Sequence, residues 1–267
     1  MRREITLGQY YPEDSLLHRL DPRVKLMGLV VMLVCIFLMD SYISYGVVTL
    51  AIVILIIMSR VPLRYVLRAL KPIRFIIILT FLLNLFFTTG EELLFHWGII
   101  HIYKEGILLG LKMSVRLIYL VLSSAILTLT TTPTSLTDAL EKSLRPLNKL
   151  HIPVHEMAMM MTIALRFIPI ISEEMDKIRK AQVSRGADLD SGNIFKRAKS
   201  MIPILVPLLV SSFRRASDLA LAMDARCYHG GEGRTKFREL KYAGRDAAAY
   251  IIMFAFLAGM IVMRIFL

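Results

Sequence analysis

The 267-residue chain is 56% hydrophobic yet 20% charged, with 33 basic side chains against 21 acidic ones and a formal net charge of +12. A mean hydropathy of +0.60 excludes an ordinary soluble domain, which is about 45–50% apolar, and the charged fraction excludes a bundle buried throughout in lipid. Apolar and charged residues are therefore segregated along the chain, and the basic surplus directs the exposed parts toward anionic lipid, an acidic protein or nucleic acid.

The first 23 residues, MRREITLGQYYPEDSLLHRLDPR, are polar and contain no compact signal-peptide core. Five charge-free apolar runs follow, at 26–39, 41–59, 75–90, 117–137 and 247–263, the fourth entered near Gly106. Roughly 20 mainly apolar residues are needed to span a bilayer, so the pattern predicts about five spans, with the first and third short. Between the second and third runs the chain carries Arg60, Arg64, Arg68, Lys71 and Arg74 and no acid; between the third and fourth, Glu91, Glu92 and Glu105 face one lysine, Lys104. The positive-inside rule places the first of these loops, the N-terminus and the stretch from 132 to 245 in the cytoplasm. Lys112 and Arg116, early in the fourth span, read either as a transport pathway or as side chains snorkelling to the outer face; the latter is the simpler reading.

Residues 132–245 are too long for a connector and too apolar for a soluble tail. Three amphipathic helices are expected there. The first opens with Ser135 three residues before Asp138, a capping-box pattern. The second includes Ile168, Ile171, Met175 and Ile178 at helical spacing. The third sets Leu209, Phe213, Ala216, Ala220, Met223 and Cys227 on one seam, its regular part beginning after Pro203 and Pro207. The chain thus divides into an N-terminal membrane region (1–131), a coupling-helix region (132–245) and a final membrane helix (246–267).

Each long amphipathic run ends in a small residue, an arginine and another small residue: Ser184-Arg185-Gly186 and Ala225-Arg226-Cys227. One such tip is an ordinary helix stop, with arginine at the negative end of the macrodipole and glycine as the left-handed cap. Two matched tips suggest two sockets, because small neighbours let a planar guanidinium enter a groove and meet carboxylates or carbonyls. Met157, Met159, Met160 and Met161 form a cluster that serves either adaptable packing or a surface for several partners. His151, His155 and Glu156 make a poor metal site, since Pro153 interrupts the spacing and no third ligand is placed sensibly.

No Walker A loop is present, and Gly106 and Gly110 are wrongly spaced for one. Gly-x-Ser-x-Gly, HExxH and paired-aspartate motifs are absent, and the basic loops lack the interleaved aromatics of a nucleic-acid surface. A membrane-embedded enzyme or a stand-alone secondary transporter would need acids arranged at a membrane face, or internal repeats with broken helices.

The stretches LGQYYPEDSLLHRLDPRVKL, TTTPTSLTDALEKSLRPL, ALRFIPIISEEMDKIRKAQVSRGAD and RRASDLALAMDARCYHGG closely resemble the EcfT family, the transmembrane coupling subunits of energy-coupling factor transporters. The resemblance covers nearly the whole chain. It implies an all-α polytopic membrane protein with a cytoplasmic block of long coupling helices, located in the cell membrane and itself non-catalytic. It implies two homologous ABC ATPase partners, which bind the ATP and Mg, and an interchangeable vitamin-binding S-component beside the coupling helices. By position, Ser184-Arg185-Gly186 and Ala225-Arg226-Cys227 correspond to the family's Ala-Arg-Gly-type tips, with serine for alanine in one and cysteine for glycine in the other.

Overall fold

The computed structural model describes residues 10–90, 92–97, 100–187, 193–230 and 242–266. Helices dominate. They are α1 (Pro22–Phe37), α2 (Tyr42–Ser59), α3 (Leu63–Arg68), α4 (Arg74–Phe87), α5 (Lys104–Thr130), α6 (Pro133–Leu144), α7 (Val154–Ser184), α8 (Ile194–Ser200), α9 (Ile202–Asp224) and α10 (Gly244–Phe266). Among the described residues the only strands form a hairpin of β1 (Leu93–Trp97) and β2 (Ile100–Tyr103), paired antiparallel with Leu93 opposite Tyr103 and Trp97 opposite Ile100. Its aromatic and β-branched composition favours strands. At its base Lys104 pairs with Glu92 at 2.6 Å.

Four of the described helices are long and apolar enough to cross a membrane: α2, α5, α7 and α10. The first and third expected spans correspond to α1 and α4, of 16 and 14 residues. At 1.5 Å per residue these reach only about 24 and 21 Å, against a hydrocarbon core of about 30 Å. Along α4 no residue is buried, and Phe75, Ile78, Leu82 and Phe87 are all exposed, as befits a helix whose neighbour is lipid. α7 qualifies as well as being amphipathic, because an apolar half precedes the charged run from Glu173 to Lys180.

The chain forms two compact units. One comprises Gly8–Ala139 with Glu239–Leu267. Here α5 is central, packed by α1, α2, α3 and α4, while α1 also packs on α10. The core joins Val31, Met32, Cys35 and Ile36 of α1, and Met39 in the turn after it, to Val48 and Ile52 of α2, Leu122, Ala125 and Leu129 of α5, and Met260 of α10. Gly106 and Gly110, four apart on α5, let α4 approach closely. A Cβ on Gly106 would sit 3.0 Å from the Asn84 carbonyl oxygen, and one on Gly110 would sit 3.2 Å from both the carbonyl oxygen and the ring of Phe81. The pair is a small-xxx-small seam.

The start of α1 is fixed from both sides. Pro22 occupies its first turn, and the Asp21 carboxylate accepts from the Arg23 N–H. The buried Asp246 carboxylate accepts from the N–H of Asp21 at 3.0 Å and from that of Ala243 at 2.8 Å. One side chain therefore caps the starts of α1 and α10 together. The Arg23 guanidinium lies 3.8 Å above the Tyr242 ring.

The other unit, Leu140–Arg238 among the remaining residues, is built on α7 and α9, with α8 beside α9. Two details of the long helices differ from the sequence expectation. The cap of α6 is Thr132 rather than Ser135: its Oγ1 accepts from the Ser135 N–H and donates to the Ser135 hydroxyl, because Pro133 is well suited to the first helical position. Likewise α9 begins at Ile202 and runs through both prolines instead of starting after them. Pro203 falls in the first turn, where no N–H is needed. Pro207 leaves the Pro203 carbonyl without its helical donor, and Gln182 Nε2 of α7 donates to that oxygen at 3.3 Å.

Candidate functional site

The two arginine tips share one backbone geometry. At the end of α7 the Gly186 N–H donates to the Val183 carbonyl at 3.0 Å and the Ala187 N–H to the Gln182 carbonyl at 3.0 Å, with Gly186 at φ +84. At the end of α9 the Cys227 N–H donates to the Asp224 carbonyl at 2.8 Å and the Tyr228 N–H to the Met223 carbonyl at 3.1 Å, with Cys227 at φ +54. Both are Schellman caps. In each, the arginine immediately precedes the left-handed residue. Ser184 and Ala225 are equivalent, and so are Gly186 and Cys227. All six residues are exposed. Neither guanidinium has a hydrogen-bond or ion-pair partner among the described residues.

The helices carrying the tips are braced against each other. Arg215 Nη2 of α9 donates to Glu174 Oε2 of α7 at 2.7 Å. With the Gln182–Pro203 contact, this shows that α7 and α9 run in opposite directions. Glu174 precedes Arg185 by eleven residues, and Arg215 precedes Arg226 by the same number. The tips therefore stand on opposite sides of the ion pair, each arm about 16 Å long. Sequence reasoning missed this brace, because Glu174 and Arg215 each read as one charge among many on a solvated face.

Of the methionines, Met157, Met160 and Met161 are exposed and share a face, while Met159 is half-buried. Leu209, Phe213, Ala216 and Ala220 of the expected α9 seam are also exposed. The side of α9 turned inward runs instead through Ile204, Leu208, Ser212, Arg215 and Leu219. The outward apolar faces are thus available to lipid or to a partner. His155 Nδ1 lies 2.9 Å from Glu141 Oε1, and His151, at φ +61, closes the 3-10 turn Arg145–Leu150. Among the described residues no cluster of side chains could hold a metal ion. Arg116 donates to the Met39 carbonyl at 2.6 Å, and the Lys112 ammonium lies 4.7 Å from the Tyr42 ring centroid. Both cations therefore have local partners at the turn between α1 and α2.

The N-terminal stretch is anchored to the end of α5. The Tyr11 N–H donates to the Leu129 carbonyl at 2.9 Å, and Lys25 Nζ donates to the Thr130 carbonyl at 2.8 Å. His18 Nε2 donates to the Tyr11 carbonyl at 3.0 Å, so neutral Nδ1 accepts from the Ser15 hydroxyl at 2.7 Å. Burial holds the imidazole below its ordinary value, against the raising effect of the Tyr11 carbonyl. The hydrogen bond from Arg19 holds the Asp14 carboxyl below the usual carboxylate range.

An all-helical polytopic membrane protein with two matched arginine-bearing helix caps is the class that fold and site define. The model of the CbiQ family, described as cobalt transport protein, matches residues 13–237. The energy-coupling factor transporter transmembrane protein EcfT of Acidaminococcus fermentans is 53% identical over 255 residues, covering 96% of this chain and 95% of the relative. That of Clostridium kluyveri is 47% identical over 266 residues, covering 99% and 98%. That of Bacillus subtilis is 43% identical over 264 residues, covering 99% and 100%. The chain belongs to this family of energy-coupling factor transporter transmembrane proteins.

Proposed function

We propose that the chain is the coupling scaffold of an ATP-driven importer in the cell membrane, joining two ABC ATPase subunits to a vitamin-binding S-component. The observation that carries this reading is the pair of matched, exposed caps presenting arginines without a partner among the described residues, at opposite ends of a cross-braced helix pair. Each guanidinium enters a groove on one ATPase, where its planar fork meets carboxylates or carbonyls. ATP and Mg are held by those partners. Movement of the ATPases displaces the tips, and rigid helices carry that displacement to the outward apolar faces of α7 and α9, including Met157, Met160 and Met161, where the S-component sits. The tips lie on the cytoplasmic side.

The test is recovery of both ATPases with the purified protein, alongside substrate uptake. Truncating one partner of a buried charged pair typically costs about 2–5 kcal/mol. Two tips on one joined complex mask a single loss. Arg185→Ala or Arg226→Ala alone should weaken uptake with partial assembly surviving, and the double variant should insert in the membrane without recruiting either ATPase. Lysine should rescue poorly. Normal recruitment and uptake by the double alanine variant would reduce the tips to helix ends.

A further inference from the structure

We propose that residues 60–74 form a binding surface for anionic phospholipid headgroups. The segment joins α2, a membrane-crossing helix by length and composition, to α4, whose apolar side chains are exposed along its length. Both of its ends therefore emerge from the bilayer on one side, and fifteen residues hold it at headgroup depth. It carries Arg60, Arg64, Arg68, Lys71 and Arg74 and no acid. All five are exposed, and none is in an ion pair among the described residues.

The backbone under these cations is fixed. Val61 and Val66 are buried, α3 packs on α5, and the Tyr65 ring lies 5.0 Å from that of Tyr11. Arg64 and Arg68 are one turn apart on α3 and share a side, as do the exposed Leu63 and Leu67. The segment thus offers guanidinium forks on a fixed backbone, suited to phosphodiester oxygens, beside leucines suited to the acyl boundary. Such a mixture at headgroup depth favours lipid over an acidic protein. Arg60 lies at the rim, where Glu13 and Asp14 stand nearby, although Arg19 already binds Asp14 through two hydrogen bonds. The core of the surface is Arg64, Arg68, Lys71 and Arg74.

A fluorescent reporter tests this in the full-length protein. Trp97 is the single tryptophan, so Trp97→Phe with Leu67→Trp leaves one indole beside the patch. The protein is reconstituted in vesicles of phosphatidylcholine and phosphatidylglycerol, with either lipid brominated. Each basic side chain near an anionic surface is worth about fivefold in lipid preference. Brominated phosphatidylglycerol should therefore quench the reporter at least about fivefold more effectively than brominated phosphatidylcholine. Raising the ionic strength to about 0.5 M should shrink that preference in the unmutated reporter protein. Arg64→Gln with Arg68→Gln should reduce it severalfold, Lys71 and Arg74 keeping the remainder, while Arg166→Gln with Arg179→Gln on α7 should leave it unchanged. Equal quenching by both lipids, or a preference insensitive to salt and to Arg64→Gln/Arg68→Gln, would overturn the assignment. So would shielding of the reporter from both lipids in the complex with its partner subunits, which would make the surface a protein interface.

Discussion

Replacing Cys227 by glycine should strengthen the end of α9. Cys227 is held at φ +54, where an L-residue with a Cβ is disfavoured by about 1–2 kcal/mol. Glycine removes that cost but gains freedom in the unfolded chain, which returns about 0.4–1 kcal/mol. The net gain is about 0.5–1 kcal/mol, or a twofold to fivefold slower opening of the cap by the usual conversion. At the α7 tip, Gly186 has φ +84 and nothing within 4 Å of a built Cβ, so Gly186→Ala meets no steric obstacle and isolates the same conformational term with the opposite sign. Amide hydrogen exchange reads both directly. The Tyr228 N–H, bonded to the Met223 carbonyl, should exchange more slowly in Cys227→Gly, and the Ala187 N–H, bonded to the Gln182 carbonyl, faster in Gly186→Ala. Faster exchange at Tyr228, or no change at Ala187, would refute the equivalence of the two caps.

Gly110→Val should lower the melting temperature in detergent, since the added atoms meet the Phe81 backbone at 3.2 Å and overpacking costs about 1–3 kcal/mol; Gly46→Ala, with nothing within 4 Å, should raise it. Asp246→Ala should cost about 2–4 kcal/mol, because two backbone donors lose a charged acceptor, and Asp246→Asn should cost less; equal melting temperatures for the two variants would contradict a double cap. The folded His18 imidazole titrates below its ordinary 6.5, so the unfolded chain takes up the proton first as pH falls. Its contribution is full above about 6.5 and is lost as pH falls from there toward the folded value; His18→Gln should flatten that part of a pH-dependent melting series.

The residues that reveal the class are those whose chemistry is local. Charge-free runs, the basic stretch 60–74 and the small-Arg-small tips can each be read without knowing what lies opposite them. The helix ends were legible for the same reason, since a left-handed cap depends on its own backbone. What the sequence concealed depends on partners far along the chain. Asp246 binds the N–H of a residue 225 positions away. Gln182 answers a carbonyl that a proline on another helix leaves open. Gly106 and Gly110 acquire meaning only when α4 lies against them. The outward direction of Leu209 and Phe213 was also hidden, because periodicity identifies an apolar face but not whether protein, partner or lipid covers it. The hairpin was missed because eleven residues rich in aromatics read as an extracellular loop by charge alone.

The two tips differ in two residues of three and still adopt one geometry, which separates what the motif needs from what it tolerates. A glycine is the cheaper left-handed residue, yet cysteine occupies the equivalent position with the same pair of closing hydrogen bonds. Serine and alanine interchange before the arginine, where the backbone is still helical. Common to both are the guanidinium and the cap that stops the helix directly behind it. That cap fixes the Cα–Cβ direction of the arginine relative to a rigid helix, so a socket receiving it reads the orientation of the whole rod, which a guanidinium on a flexible loop could not report. With equal arms about 16 Å long on either side of the Glu174–Arg215 contact, rotation of the pair about that contact moves the tips by equal distances in opposite directions. In the coupling scaffold proposed above, two ATPases approaching each other would load both arms at once, and the Glu174–Arg215 pair would bear the resulting shear. Glu174→Gln should therefore reduce uptake while both ATPases remain bound, a separation of assembly from transport that neither arginine variant produces; parallel loss of recruitment and uptake would show that the ion pair only holds the helices together.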